Sequence, residues 1–127
     1  MSMKKFAILL FTSTTLLVVA NAASAELRCG WIENPTPGNY YLTDREARWE
    51  MSAQGGMYEA EGMDNIGDLS SGDYRATNGN NGYACGCATV KTDPDSQRVV
   101  VIDAFEQKTI ADCEADPNLP IPEETPQ

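Results

Sequence analysis

Between Ala47 and Ala53 the chain alternates strictly. Ala47, Trp49, Met51 and Ala53 are apolar, and Arg48, Glu50 and Ser52 between them are polar. A period of two places one set on each face of a strand, so the pattern predicts an amphipathic β-strand with one buried face. Just before it, "NYYLTD" mixes aromatic and aliphatic residues over a short run, a second strand signal. Upstream again, "ENPTPGN" carries two prolines and a glycine, which suit a turn and neither a helix nor a central strand. The following stretch, "QGGMYEAEGMDNIGDLSSGDYRATNGNNG", is rich in Gly, Asn, Asp and Ser. It reads as loops around short strands in "MYEAEG" and "DYRAT".

The best-defined unit lies further on. "GYACGCATVKT" and "RVVVIDAFEQ" are two strand-like runs around the turn cluster Asp93, Pro94 and Asp95, which predicts an antiparallel hairpin. The β-branched run Val99 to Ile102 reads as a central, well-covered strand. "KTIADCEAD" suits a helical turn or an irregular closing segment. Beyond it, residues 114–127 hold four of the seven prolines and several carboxylates. Such a composition cannot bury enough apolar surface to order itself, and it reads as a disordered acidic tail. The expected fold is therefore all-β and mainly antiparallel, a small barrel or sandwich with long loops over residues 26–113.

The N-terminus bears on compartment. Lys4 and Lys5 precede an uncharged run of 15 residues, Phe6 to Ala20, and Ala23 and Ala25 supply a small-x-small cleavage pattern. That run falls short of the ~20 residues of a membrane-spanning helix. Residues 1–25 are read as a signal peptide, and the chain as periplasmic or secreted, with no membrane attachment after cleavage. Cleavage after Ala25 of the 127-residue chain leaves 102 residues, the size of one domain. Without Lys4 and Lys5, 7 basic residues face 19 acidic ones, a net charge of −12. Nucleic acid is excluded as a partner, since phosphates demand Lys and Arg, and a basic exported protein is favoured. Oligomeric state has no signature.

Cys29, Cys85, Cys87 and Cys113 form an even set in an exported chain, the pattern of a disulfide framework. Joining Cys85 to Cys87 would close a strained ring across Gly86. The other two pairings tie this strand once to Cys29 and once to Cys113, and the sequence does not choose between them. Residues two apart share a strand face, so Cys85 and Cys87 are expected to point together into the core, with Gly86 on the opposite face. Each bridge is worth about 3–4 kcal/mol in the loop-entropy account, enough to explain the cysteines as anchors. Zinc would need wider ligand spacing, and thiol catalysis a cationic or helix-terminal setting that these neighbours lack.

The chain has no histidine, and so no Ser-His or Cys-His nucleophile pair and no His-based metal site. "DPDSQRVVVIDA" begins like a calcium loop at Asp93 and Asp95, but Arg98 and Ala104 occupy the positions of its required Gly and Glu. No catalytic residue, metal site or cofactor is expected. Trp31 and Trp49 are expected in the core. Tyr40 and Tyr41 should face opposite ways on their strand, leaving one exposed. With Ser71, Gly72, Tyr74, Asn78, Asn80 and Asn81 of the Gly-Asn loop, they make up the candidate binding surface.

The stretches "RCGWIENPTPGNYYLTDREARWEMSAQGG" and "TNGNNGYACGCATV" together resemble a family of small exported proteobacterial proteins of unassigned function. The likeness rests on C-G-W, N-P-T-P-G-N, Leu-x-Asp, Gln-Gly-Gly, N-G-x-x-G-Y and C-x-C, and runs from Cys29 to Cys113. Separately, "SGDY" from Ser71 to Tyr74 is similar to the S-G-x-x-Y loop of periplasmic inhibitors of chicken-type lysozyme, with one residue fewer. The reading is an exported, non-enzymatic binding protein that inhibits or neutralises a basic cell-wall-degrading enzyme or toxin. The alternatives are a thiol-redox or hydrolytic enzyme and a structural envelope component.

Overall fold

A computed structural model describes residues 3–4, 7–17 and 24–122. Its strands are β1 (Glu26–Thr36), β2 (Asn39–Thr43), β3 (Arg48–Ala53), β4 (Tyr58–Glu59), β5 (Tyr74–Asn78), β6 (Asn81–Asp93) and β7 (Arg98–Lys108). One short helix, α1 (Ile110–Glu114), follows them. The order β1-β2-β3-β7-β6 closes into a ring through a further β1–β6 pairing, with β5 beside β6 and β4 beside β3. All-β with two disulfides, as expected, the sheet is nevertheless mixed: β3 meets β7 in parallel at Glu50 and Arg98.

The pattern of apolar positions explains most of this. Trp49 and Met51 of β3 are buried on the inner face. Inside the ring they join Ile32, Leu42, Val90, Val99 and Ile102. Tyr40 and Phe105 pack against that core from its margin. The predicted hairpin is β6–β7, antiparallel from Cys85 opposite Lys108 to Asp93 opposite Arg98. Asp93 fixes its turn by accepting from the Asp95 N–H and the Ser96 hydroxyl.

Four expectations change. Val99 and Ile102 are buried, but Val100 is 44% exposed: β7 is one wall of a ring and presents only one face to the core. β1 continues through Pro35 to Thr36, its pairing with β2 shifting register between Glu33 and Thr36. Such an irregularity is where a strand tolerates proline, which has no N–H to donate. Cys85 does not face the ring's interior. It belongs to a second apolar cluster with Trp31, Tyr83, Ile110 and Cys113, on the other face of β1 and β6 and covered by α1. Finally, the segment read as a tail from residue 114 is placed on the domain over its first part, with Leu119 packed against that second cluster. Leucine and proline side chains find an apolar patch there that no local sequence pattern announces. Residues 123–127 lie outside those described.

Gly30 shows how closely the ring is built. A Cβ there would run into the carbonyl of Thr43 and lie 3.0 Å from the Asp44 Cα, both backbone atoms of the neighbouring strand and turn. We expect Gly30→Ala to cost about 1–3 kcal/mol, since backbone cannot swing aside as a side chain can. A urea midpoint unchanged from the parent would contradict this close approach. Gly86 faces the ring's interior, opposite its flanking cysteines as expected, and the Phe105 ring occupies the space a side chain would need.

Candidate functional site

Charge is concentrated at the turn joining β2 and β3. Asp44 sits in the bend, and its Oδ1 accepts the N–H groups of Glu46 and Ala47, both at 2.9 Å. An aspartate that closes its own turn in this way leaves its second oxygen free for a distant partner. That partner is Arg28 of β1, whose Nη1 donates to Asp44 Oδ2 at 2.6 Å and to Glu46 Oε2 at 3.1 Å. Glu26 pairs with the same guanidinium, which lies 4.3 Å from the Trp49 ring centroid. The Trp49 indole N–H also donates to Asp44. Beside this group, Glu33 accepts from the Thr43 hydroxyl and from Arg48 Nε, and Arg48 stacks over Tyr41 at 3.8 Å.

Both Arg28 and Asp44 are buried, yet both are held charged. Burial works against the Asp44 carboxylate, but the Ala47 N–H and the Arg28 guanidinium overcome it and keep its pKa below the ordinary range. For Arg28, burial likewise opposes the charge, and the carboxylates of Asp44, Glu46 and Glu26 outweigh it and raise the pKa. Because Asp44's pKa is lowered on folding, its contribution is complete above the unfolded value of about 3.9 and disappears as pH falls through the folded value. Stability should therefore be flat towards neutrality and decline below about pH 4. Urea midpoints across pH 2–7 check this, and in Asp44→Asn the acid-side slope should shrink.

The residues expected to form a binding surface are only partly brought together. Tyr74, Asn78, Asn80 and Asn81 meet at the β5–β6 turn: the Tyr74 hydroxyl donates to the Asn80 carbonyl at 2.8 Å, and the Asn81 amide to the Asn78 carbonyl at 3.2 Å. Asn78 reaches across to the Pro35 carbonyl. Tyr40 lies near Tyr74, whose pKa is raised by burial and then by Tyr40 and Asp68. Tyr41 is separate, half-buried under Arg48. Ser71 and Gly72 belong to the preceding loop, where Ser71 donates to the Asp68 carbonyl and Gly72 abuts the Gln107 side chain. Gln107 Nε2 pins that loop to β7 through the Leu69 and Asp73 carbonyls.

A cleft of about 650 Å³ opens between the β2–β3 turn and the C-terminal segment, lined among others by Trp31, Glu33, Arg45, Arg48 and Pro122. Of these, Trp31 is expected in the core from the sequence, and the other four carry no local signal for a site. The aspartate-centred turn in "LTDREA" was a readable signal, but its arginine partner stands 16 residues away with nothing local to mark it. Among the described residues, no group of three or more Cys, Asp or Glu side chains is arranged to hold a metal ion. The cysteines are joined as Cys29–Cys87, a directly opposed cross-strand pair of β1 and β6, and as Cys85–Cys113.

A closed ring of strands, an outer helix and two disulfides define a small disulfide-linked all-β domain. Residues 23–120 match the family described as "Protein of unknown function (DUF4087)", and the chain belongs to that family. No curated protein and no solved structure matches it. None of the described helices is long and apolar enough to cross a membrane.

Proposed function

We propose that the chain is an exported, non-enzymatic protein that binds a basic exported partner, most concretely a cell-wall-degrading enzyme or a toxin, through an acidic surface. The observation that carries this is where the positive charge goes. Of the seven basic residues from Arg28 to Lys108, five are engaged within the domain. Arg28, Arg48, Arg98 and Lys108 pair with carboxylates, and Arg75 lies over Tyr83 and donates to its hydroxyl. Many carboxylates stay exposed. The loop laid along β7 through the Glu61–Val100 and Asn65–Ile102 hydrogen bonds presents Glu61, Asp64 and Asp68, and β7 adds Asp103 beside them. Hydrogen bonds to β7 hold this loop in place, which lowers the entropy lost on binding.

Export is supported by the position of β1, which begins at Glu26, where signal cleavage would place the mature terminus. The described part of the apolar run, residues 7–17, carries no helix or strand, and Leu9, Leu10, Phe11, Leu16 and Leu17 are exposed. It therefore adds nothing to either apolar cluster. Two disulfides suit the oxidising environment outside the cytoplasm.

The test is binding of the exported chain to a panel of basic exported proteins that includes chicken-type lysozyme, measured by biolayer interferometry at low and high salt. Binding to at least one member is expected, weakening steeply with salt, and reversal of Asp64, Asp68 and Asp103 to Lys should weaken it about tenfold or more. If no member binds at low salt, or if the reversals leave binding unchanged, the proposal fails.

A further inference from the structure

The segment after α1 forms a strap rather than a loose end. A turn closes at Asp116, whose side chain accepts the Asn118 N–H and whose carbonyl accepts the Leu119 N–H. From there the chain passes over the outer face of β1. Leu119 is half-buried against the cluster of Trp31, Tyr83, Cys85, Ile110 and Cys113. One residue on, the Pro120 carbonyl accepts the Trp31 indole N–H at 2.8 Å. Trp31 is only 2% exposed and meets Tyr83 edge-on, with ring centroids 5.2 Å apart and planes at 84°.

The chemistry of the two sides is complementary. The strap reads Pro117-Asn118-Leu119-Pro120-Ile121-Pro122. Past the turn that ends at Leu119, the closely spaced prolines favour an open backbone over residues 120–122, whose carbonyls find no partner within the segment. An aromatic groove that offers a fixed N–H is the surface such segments dock on, because little conformational freedom remains to be lost. Tryptophan supplies both parts, a flat apolar face and a donor with no acceptor role.

We infer that Trp31 and Tyr83 form a recognition site for a proline-flanked leucine segment, and that Leu119–Pro120 is its resident ligand, held in cis. The site is wider than the strap that fills it. On one side lies the 650 Å³ cleft towards the β2–β3 turn; on the other a second space of about 300 Å³ is lined by Arg75, Tyr83, Cys113 and Glu114. Among the described residues, the hydrogen bond tying the strap to the sheet is the one from Trp31, and Leu119 and Pro122 are half-buried. A single hydrogen bond of this kind adds little net stability, so a competing segment of the same kind can contend for the site. The strap thus guards the site, and a partner with such a segment must displace it. This inference is independent of the acidic surface proposed above.

The Trp31 indole ¹⁵N–¹H resonance reads the site directly, and loss of one of the two indole peaks in Trp31→Phe assigns it. In the full exported chain, Leu119→Ser should move this resonance and speed its exchange with solvent about tenfold or more, as expected when a local opening becomes easier. Adding the peptide PNLPIP should return it towards the parent position, whereas PNSPIP should not. The parent chain should need about tenfold more PNLPIP than the variant, because its own strap competes. An unmoved resonance in Leu119→Ser overturns the inference, and so does an equal response to the two peptides. Should Leu119→Ser lose the dispersed spectrum of a folded chain, a chain ending at Asp116 takes its place and the same peptide pair decides.

Discussion

A chain carrying Cys85→Ser and Cys113→Ser is expected to lose about 3 kcal/mol of stability, from the loop-entropy account of a bridge closing a few tens of residues. The two cysteines stand 28 residues apart, and both sulfurs lie within the outer cluster under α1. For a domain of this size that loss is a large share of a net stability of about 5–15 kcal/mol. The effect should also be uneven. α1 is five residues long, far too short to persist alone, so its place depends on the Cys113 tether and on Ile110 packing. Hydrogen exchange over residues 110–122 should therefore approach the unprotected rate, while β6 and β7 keep their protection. Cys29–Cys87 joins strands already paired from Glu26 opposite Val90 to Asn34 opposite Gly82. Its removal should lower global stability without selectively freeing α1. Urea unfolding and exchange of both double variants check this. An unchanged midpoint for the Cys85/Cys113 variant, or equal exchange patterns in the two, would contradict it.

The second large effect is expected at Asp44. Asp44→Ala removes the closest partner of the buried Arg28, the acceptor for the Trp49 indole and the acceptor closing the β2–β3 turn. Breaking a buried pair by deleting one member typically costs about 3–5 kcal/mol, because the remaining charge is left uncompensated. Glu46 and Glu26 still reach Arg28, which places the expected loss at the lower end of that range, about 3 kcal/mol. Asp44→Asn retains an oxygen acceptor and should cost less, about 1–2 kcal/mol. Combining Asp44→Ala with Arg28→Ala should cost less than the sum of the single changes, since the stranded charge is gone. Strict additivity in that cycle would show that the pair contributes nothing.

The sequence was legible where a signal is local. The alternation around Trp49 and Met51, the β6–β7 hairpin, and the shared face of Cys85 and Cys87 all follow from a period of two and from turn chemistry. What was missed depends on contacts between distant segments. The parallel junction of β3 and β7 joins residues 48 positions apart, and a parallel pair leaves no turn motif behind it. The cysteine pairing needed the register that sets Cys29 opposite Cys87 and leaves Cys85 for the helix. That Cys85 faces outward follows from a second apolar patch, which no periodicity separates from the first. Of the expected binding residues, the Asn-rich turn is assembled with Tyr74, but the Tyr74 hydroxyl and the Asn81 amide are spent on the turn's own carbonyls. The strap carries no local signal, because its prolines suit a loose tail as well as a segment that packs on tryptophan.

On this reading the cysteines anchor the sheet and α1 and are not a reactive pair. Alkylation of free thiols in intact cells, followed by peptide mass spectrometry of the exported chain, tests it most directly. The account predicts no alkylated cysteine and two cross-linked peptide pairs, Cys29 with Cys87 and Cys85 with Cys113. A standing population of free Cys85 and Cys87, or a bridge between those two, would contradict it.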